Sequence, residues 1–194
     1  MAATDEELMA RAIEGEAEAF ARLAERHGGS VFRYLMRMTG SVEEAEELLQ
    51  DTFVAAFAAR RQYRGAGSVR GWLMTIARNR ARNAWRDGSR NVRDAETVRG
   101  ELESLPVSGT PEGEVLRLEL RAEIATALAA LPPASREAVV LRDVEGLTYE
   151  EIAEVTGAGE GAVRVRVHRG REQLRHLLEP YLTGEPVEGE RSVP

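Results

Sequence analysis

The chain of 194 residues has no cysteine, and all 26 of its basic residues other than histidine are arginines. Without thiols there is no disulfide, thiolate metal site or cysteine nucleophile, a pattern that fits an intracellular protein. Without lysine there is no P-loop lysine and no Schiff-base amine. Such arginine usage is also what a GC-rich genome produces. Aromatics are only 5% beside a hydrophobic share of 43%, which leans towards small helical modules. No apolar run approaches the ~20 residues that span a bilayer. The N-terminus opens with acids and lacks a basic-then-apolar signal pattern. The expectation is a soluble cytoplasmic protein with no membrane insertion of its own. His27, His168 and His176 show no metal-ligand spacing, and the glutamates lie on amphipathic helices with no sign of a buried pair. No metal, cofactor or catalytic constellation is expected, and hence no enzyme. Gly157-x-Gly159-x-x-Ala162 formally matches a dinucleotide fingerprint, but it follows a helix and no βαβ pattern surrounds it.

What is present is unevenly spread. Net charge is −7, which argues against a general nucleic-acid coat protein. Residues 1–51 are acidic, whereas the stretch from Arg60 to Arg93 holds ten arginines against the single acid Asp87. A basic segment within an acidic chain suggests a directed nucleic-acid face beside a protein-contact face.

The most informative stretch runs from Thr148 to Leu178. Thr148 and Glu151 form a T-x-x-E capping box that starts one helix. Ala153, Gly157 and Val163 then supply a small residue, a turn glycine and an aliphatic lock, as a helix-turn-helix requires. On the second helix Val163, Val167, Gly170 and Leu174 share a face, while Val165, His168 and Arg169 point away and Arg164 and Arg171 share a flank. A helix buried on one side and cationic on the other suits the DNA major groove.

Elsewhere the pattern is helical throughout. Thr4 and Glu7 form another capping box, and Gly15 breaks the helix it opens. A second segment ends near His27-Gly28-Gly29, where His27 reads as a polar residue at a helix end, and helix resumes over Val31–Met38. Ser41 and Glu44 cap a helix to about Arg60, with Val42, Ala45, Leu48, Leu49, Thr52, Phe53, Ala56 and Phe57 as its buried stripe. Glu43, Glu46, Glu47, Gln50 and Asp51 lie outside that stripe, on a face that is either solvated or a dock for a basic partner. After the loop Tyr63-Arg64-Gly65-Ala66-Gly67-Ser68, a helix from about Val69 to Asp87 sets Trp72, Leu73, Ile76, Ala77, Ala81, Ala84 and Trp85 on one side and Asn79, Arg82, Asn83 and Arg86 on the other. Arginine neutralises phosphate while asparagine hydrogen-bonds base edges, so the mixture points to nucleic acid. Trp72 reads as core before base-stacking wedge. Residues 94–113 lack periodicity and read as a flexible linker. Leu116, Leu120, Ile124, Ala127, Leu128 and Leu131 form the stripe of the next helix, which Pro132-Pro133 ends; Ala134–Val144 follows, and Pro180 stops the last helix.

The expected fold is all-α: two small helical domains joined by a flexible linker, the C-terminal one a helix-turn-helix. Their bounds are 1–93 and 114–183, with linker 94–113 and a tail at 184–194. The segments EEAEELLQDTFVAAF and YRGAGSVRGWLMTIARNRARNAWR resemble the second conserved region of bacterial sigma factors. LPPASREAVVLRDVEGLTYEEIAEVTGAGEGAVRVRVHRGREQL resembles their fourth region, and having little between the two resembles the extracytoplasmic-function (ECF) group. The resemblance implies a transcription initiation factor that binds core RNA polymerase, directs it to promoters and assists melting. On this likeness Glu47, Leu49, Gln50 and Asp51 match the stretch that docks on the β′ clamp helices. Tyr63, Arg64, Ser68, Trp72, Asn79, Arg82, Asn83 and Arg86 match the part that reads the minus-ten element, where a flipped base is captured at a stacking cost of a few kcal/mol. The second domain matches the part that sits on the β flap, with Arg164, Val165, His168 and Arg169 base-facing and Arg171 on phosphate at the minus-thirty-five element. A promoter and an anti-sigma factor are the further partners implied.

The chain departs from the family pattern at Gly159-Glu160-Gly161-Ala162-Val163, which removes a helix cap and a hydroxyl contact worth roughly 1 kcal/mol each. Thr156, Ala158 and Val165 also differ from the usual residues, and Glu160 adds a negative charge near DNA. Two other readings are a stand-alone helix-turn-helix regulator and a decoy that binds polymerase or an anti-sigma factor without productive promoter recognition. The first leaves the basic Arg60–Arg93 segment unexplained.

Overall fold

The computed structural model describes residues 3–65, 67–86 and 111–183, the backbone alone being described at 85–86, 111–119 and 182–183. In chain order the helices are α1 (Asp5–Glu14), α2 (Ala17–Thr39), α3 (Val42–Ala59) with a 3-10 turn (Arg60–Gln62), α4 (Val69–Arg86), α5 (Pro111–Ala130), α6 (Pro133–Val139) continuing as a π turn (Val140–Val144), α7 (Tyr149–Thr156) and α8 (Glu160–Thr183). There is no strand among the described residues. The tail and most of the expected linker fall outside them.

Both capping boxes form. Glu7 N donates to Thr4 Oγ1 at 3.2 Å and Thr4 N to Glu7 Oε2 at 2.9 Å, so α1 begins where the sequence says. Thr148 and Glu151 repeat the exchange at the start of α7, at 2.9 and 3.1 Å. Gly15 ends α1 with φ +112° and Gly157 ends α7 with φ +67°, both in the left-handed region.

Helix α2 is one element, which corrects the expected break at Gly28-Gly29. Each glycine costs roughly 1 kcal/mol in a helix interior. Against that stands an unbroken buried face of Phe20, Leu23, His27, Ser30, Val31, Tyr34 and Leu35. Burial of that stripe outweighs the local penalty. His27 is therefore a mid-helix residue, 7% exposed, with Nε2 2.7 Å from Asp5 Oδ2 in the first turn of α1. Arg26 engages the same carboxylate and reaches Ala3 O at 3.0 Å, tying α1 to α2.

Leu8, Leu23, Leu35, Leu48, Leu73 and Met74 are sealed between α1, α2, α3 and α4. The α3 stripe is narrower than expected: Ala45, Leu48, Thr52 and Ala56 are buried, whereas Phe57 is 38% exposed. Phe57 instead meets Phe20 edge-on at 5.2 Å and carries the Arg60 guanidinium 4.1 Å above its ring. Arg60 Nε closes this corner on Ala12 O at 2.9 Å.

In the second half, Leu131, Leu141, Leu147, Ile152, Val163 and Val167 form the sealed set. Helix α5 starts at Pro111, so residues 111–113, expected in the linker, are helical; proline is pre-set for a first helical position. Among the described residues of its stripe Ala127, Leu128 and Leu131 are buried, with Ala122 added, while Leu120 and Ile124 stand exposed and the side chain of Leu116 lies outside the described residues. Arg136, itself buried, donates to Ala129 O and Leu131 O and so satisfies the carbonyls at the end of α5; burial lowers its pKa. Helix α8 and α6 approach closely at Gly170, where a Cβ would stand 2.6 Å from Val139 Cγ2 and 3.3 Å from Ser135 O. Helix α8 also runs through Pro180 to Thr183, not stopping there. So near the C-terminus, the missing N–H disturbs only the last turns.

Candidate nucleic-acid and polymerase interfaces

Helix α8 presents the two faces its sequence predicts. Val163, Val167 and Gly170 are buried and Leu174 half-buried, while Arg164, Val165, His168, Arg169 and Arg171 are exposed. The side chains on the exposed face differ in how they are held. Arg164 Nε donates to Glu160 Oε1 at 3.1 Å, and its guanidinium lies 4.4 Å from the centre of the Tyr149 ring. Glu160, whose charge near DNA looked unfavourable, is thus matched by an arginine one turn on. Arg142 approaches Tyr149 as well, 4.7 Å from its ring centre. Arg171 Nε donates to Asp143 Oδ2 at 2.9 Å, and this hydrogen bond raises its already high pKa. His168 Nδ1 sits 3.2 Å from Glu172 Oε2. Arg169 is exposed and has no partner among the described residues, unlike Arg164 and Arg171.

Helix α4 is built differently. Ser68 caps it: the Ser68 hydroxyl accepts from Gly71 N at 3.1 Å and its carbonyl from Trp72 N at 3.0 Å. Tyr63 closes the preceding loop by donating its hydroxyl to Gly67 O at 3.0 Å, and its ring meets Trp72 edge-on at 5.7 Å. Burial comes first in raising the Tyr63 pKa, with the charges of Glu6 and Asp5 adding to it. Trp72 is half-buried against the core, which is how its sequence context reads. Arg64, Asn79, Arg82 and Asn83 are exposed. Asn79 and Asn83 line a cleft of about 450 Å³ between α3 and α4 with Ala55, Ala58, Ala59, Gln62, Ile76 and Arg80. The side chain of Arg86 lies outside the described residues.

On α3, Glu47, Gln50 and Asp51 are exposed and Leu49 is half-buried. Beside them stands Val54 at 71% exposure, with Phe57 one turn further on. Neither is among the expected contact residues. An isolated exposed valine in a helical period carries no signal until its neighbours are known to be acidic and exposed.

The sequence also gives no hint of a third cluster. Glu137 and Glu145 lie in the C-terminal half yet are buried against α2 and α4, at 8% and 2% exposure. Glu137 Oε1 accepts from Tyr34 Oη at 3.0 Å and from Arg78 Nε at 2.7 Å. Burial, then the Glu137 charge, pushes the Tyr34 pKa well up, so the phenol stays protonated and donating. Glu145 Oε2 accepts from Ser30 and lies 3.3 Å from both Arg33 and Arg70. Ser68 donates to Glu151 Oε1 at 2.8 Å.

The two halves match two different family models: one described as Sigma-70 region 2 over residues 23–91, the other as Sigma-70, region 4 over residues 121–174. The chain is 42% identical over 170 residues to the RNA polymerase sigma factor CarQ of Myxococcus xanthus, covering 88% of this chain and 95% of that one. It is 30% identical over 185 residues to the ECF RNA polymerase sigma-E factor of Haemophilus influenzae, covering 92% and 97%. Among solved structures, CnrH in complex with the cytosolic domain of CnrY superposes with a TM-score of 0.68 at 29% identity, covering 89% of this chain and 95% of that one. The sigma factor RpoE of Bartonella quintana, in complex with the anti-sigma factor NepR, gives 0.67 at 26% identity, covering 84% and 98%.

Proposed function

The chain belongs to the sigma-70 family, in its ECF group, as a transcription initiation factor that binds core RNA polymerase and promoter DNA, and on that premise we propose which surfaces do the work. Residues 1–93 and 114–183 are the two working domains, and the protein acts in the cytoplasm by binding rather than by catalysis. The exposed face of α3, with Glu47, Leu49, Gln50 and Asp51 and now Val54, docks on the clamp helices of core polymerase. Acidic groups steer the encounter, and the apolar side chain adds area that water leaves on docking. The loop Tyr63–Ser68 and the Asn79–Asn83 face of α4 take the melted minus-ten strand. Arg164, Val165, His168 and Arg169 of α8 face the bases of the minus-thirty-five duplex and Arg171 a phosphate.

The observation that carries this reading is the contrast across α4. One face is sealed in the core, and the opposite face sets two exposed asparagines on an open cleft beside exposed arginines. Asparagine reads a base edge without the cost of leaving a charge unpaired. An anti-sigma factor is a further partner, supported by the relative RpoE being solved in complex with one.

Transcription in vitro with core polymerase tests the reading, on the DNA upstream of this protein's own operon. A discrete start only with the protein added, lost with Val54→Asp at unchanged folding, is the expected result. A start that survives Val54→Asp would remove α3 from the docking surface, and failure to bind core polymerase at all would sink the whole scheme.

A further inference from the structure

Helix α8 carries an apolar side chain at the crest of its cationic face. Val163 and Val167 are 0% and 1% exposed and lock the helix to its domain. At about 100° per residue, Val165 lies about 200° from each of them, opposite the buried stripe. It is 48% exposed there. A β-branched side chain at such a position serves neither helix propensity nor the core. Ala162, three residues earlier, is exposed as well, so the crest begins with two apolar side chains.

The flanks are the reverse. Between Glu160 and His176 the helix holds five arginines against the two acids Glu160 and Glu172. Arg164 Nε donates to Glu160 Oε1 at 3.1 Å, His168 Nδ1 lies 3.2 Å from Glu172 Oε2, and Arg171 Nε donates to Asp143 Oδ2 at 2.9 Å. Arg169, four residues beyond Val165 and on the same line of the helix, is exposed with no partner among the described residues. Surroundings of that sign select a polyanion. In the major groove of duplex DNA an aliphatic side chain finds one apolar group, the C5-methyl of thymine, and the minor groove has no counterpart. Valine has neither donor nor acceptor, so the hydrogen-bonding edge beside that methyl is invisible to it.

We propose that Val165 is a specificity residue for a 5-methyl group in the major groove, carried by a thymine one or two base pairs from the guanine that Arg169 holds. This rests on the reading of the exposed face of α8 as the base-facing side at the minus-thirty-five element, and adds the chemical feature that is read. Guanine is the base whose O6 and N7 suit a guanidinium. The spacing follows from the helix: four residues advance it by about 6 Å, against roughly 3.4 Å between base pairs. A methyl group on cytosine meets the same requirement, so 5-methylcytosine is accepted at that position where cytosine is not.

The test uses holoenzyme assembled from core polymerase and the full chain, on the promoter mapped by its transcription start. Each thymine of the minus-thirty-five element, on either strand, is replaced in turn by deoxyuridine, which removes the methyl and keeps the pairing edge. Affinity should fall about fourfold at one position, the contribution of one buried methyl. That position should lie within two base pairs of the one at which Arg169→Ala relaxes specificity. A cytosine–guanine pair there should bind more weakly still, and 5-methylcytosine should recover about fourfold. Val165→Ser, with an unchanged circular-dichroism spectrum, should bind thymine and deoxyuridine alike. No deoxyuridine-sensitive position with the parent, or an equal loss in parent and Val165→Ser, would overturn the methyl contact. Val165→Asp separates that failure from the failure of the wider reading. If it and Arg169→Ala both bind the element as the parent does, the exposed face of α8 is not the base-facing side. If Val165→Asp loses binding while deoxyuridine has no effect, the face stands and the methyl contact falls.

Discussion

Helices α4 and α8 are both cationic and both are proposed to face nucleic acid, yet their arginines are held in opposite ways. On α8 the partners are local and exposed: Glu160 one turn from Arg164, and Asp143 at the domain's own surface for Arg171. On α4 the partners come from the other domain and are buried: Glu145 for Arg70, Glu137 for Arg78. Exposed pairs exchange freely with water and phosphate. Buried pairs do so only when the domains part. The cations of α8 are therefore free to exchange as the chain is folded, whereas Arg70 and Arg78 of α4 are committed to the other domain and its Asn79–Asn83 face stays open.

The largest effect expected on this contrast comes from removing one side of it. Gly170→Leu puts a side chain into Val139 and the Ser135 carbonyl, and overpacking of that kind costs about 1–3 kcal/mol. Calorimetry should show the C-terminal domain melting early while the N-terminal transition stays in place. Next in size are the two DNA faces. Arg169→Ala should weaken duplex binding by about 1–3 kcal/mol, chiefly at one base position. Asn79→Ala should leave duplex binding intact and reduce permanganate reactivity of the melted strand. Equal loss in both assays from both variants would erase the contrast.

Thr148→Ala should cost about 1 kcal/mol of C-terminal domain stability. The Glu151 carboxyl sharpens this. Burial works to raise its pKa, but hydrogen bonds from Thr148 and Ser68 outweigh it and hold the carboxyl below its ordinary value. A carboxyl lowered in the folded state contributes stability above its unfolded pKa and loses it as pH falls through the folded one. Urea titrations of Glu151→Gln and parent should thus differ at neutral pH and converge at the acid end, below the usual carboxylate range. The smallest effect belongs to Asp143→Asn, which releases Arg171 from an exposed pair. Duplex affinity should change no more than a few-fold, with the salt dependence steepened by about one phosphate contact.

Features that depend on a few neighbouring residues were legible in the sequence. Both capping boxes, the Gly157 turn and the buried face of α8 fall where spacing alone puts them, because their partners sit within one or two turns. The reading of Gly28-Gly29 as a break failed for the opposite reason: a local penalty was weighed without the long buried face of α2. Phe57, Leu120 and Ile124 were placed inside because period says which residues align and not how far the neighbouring helix extends. Glu145 was invisible, its partners Ser30 and Arg70 lying 115 and 75 positions away. The family resemblance implied roles for residues of the loop and of α4, but nothing in it marked the glutamates that hold Arg70 and Arg78 beside them.

Glu151 divides its two oxygens between two tasks. Oε2 accepts from Thr148 N inside the capping box, and Oε1 accepts from Ser68 across the domain boundary. Parting the domains takes away a bond without unravelling a helix start. The helix-turn-helix would then meet a partner with its first helix start already formed and no ordering of that turn left to do. A side chain with one oxygen in that position would have tied the two events together.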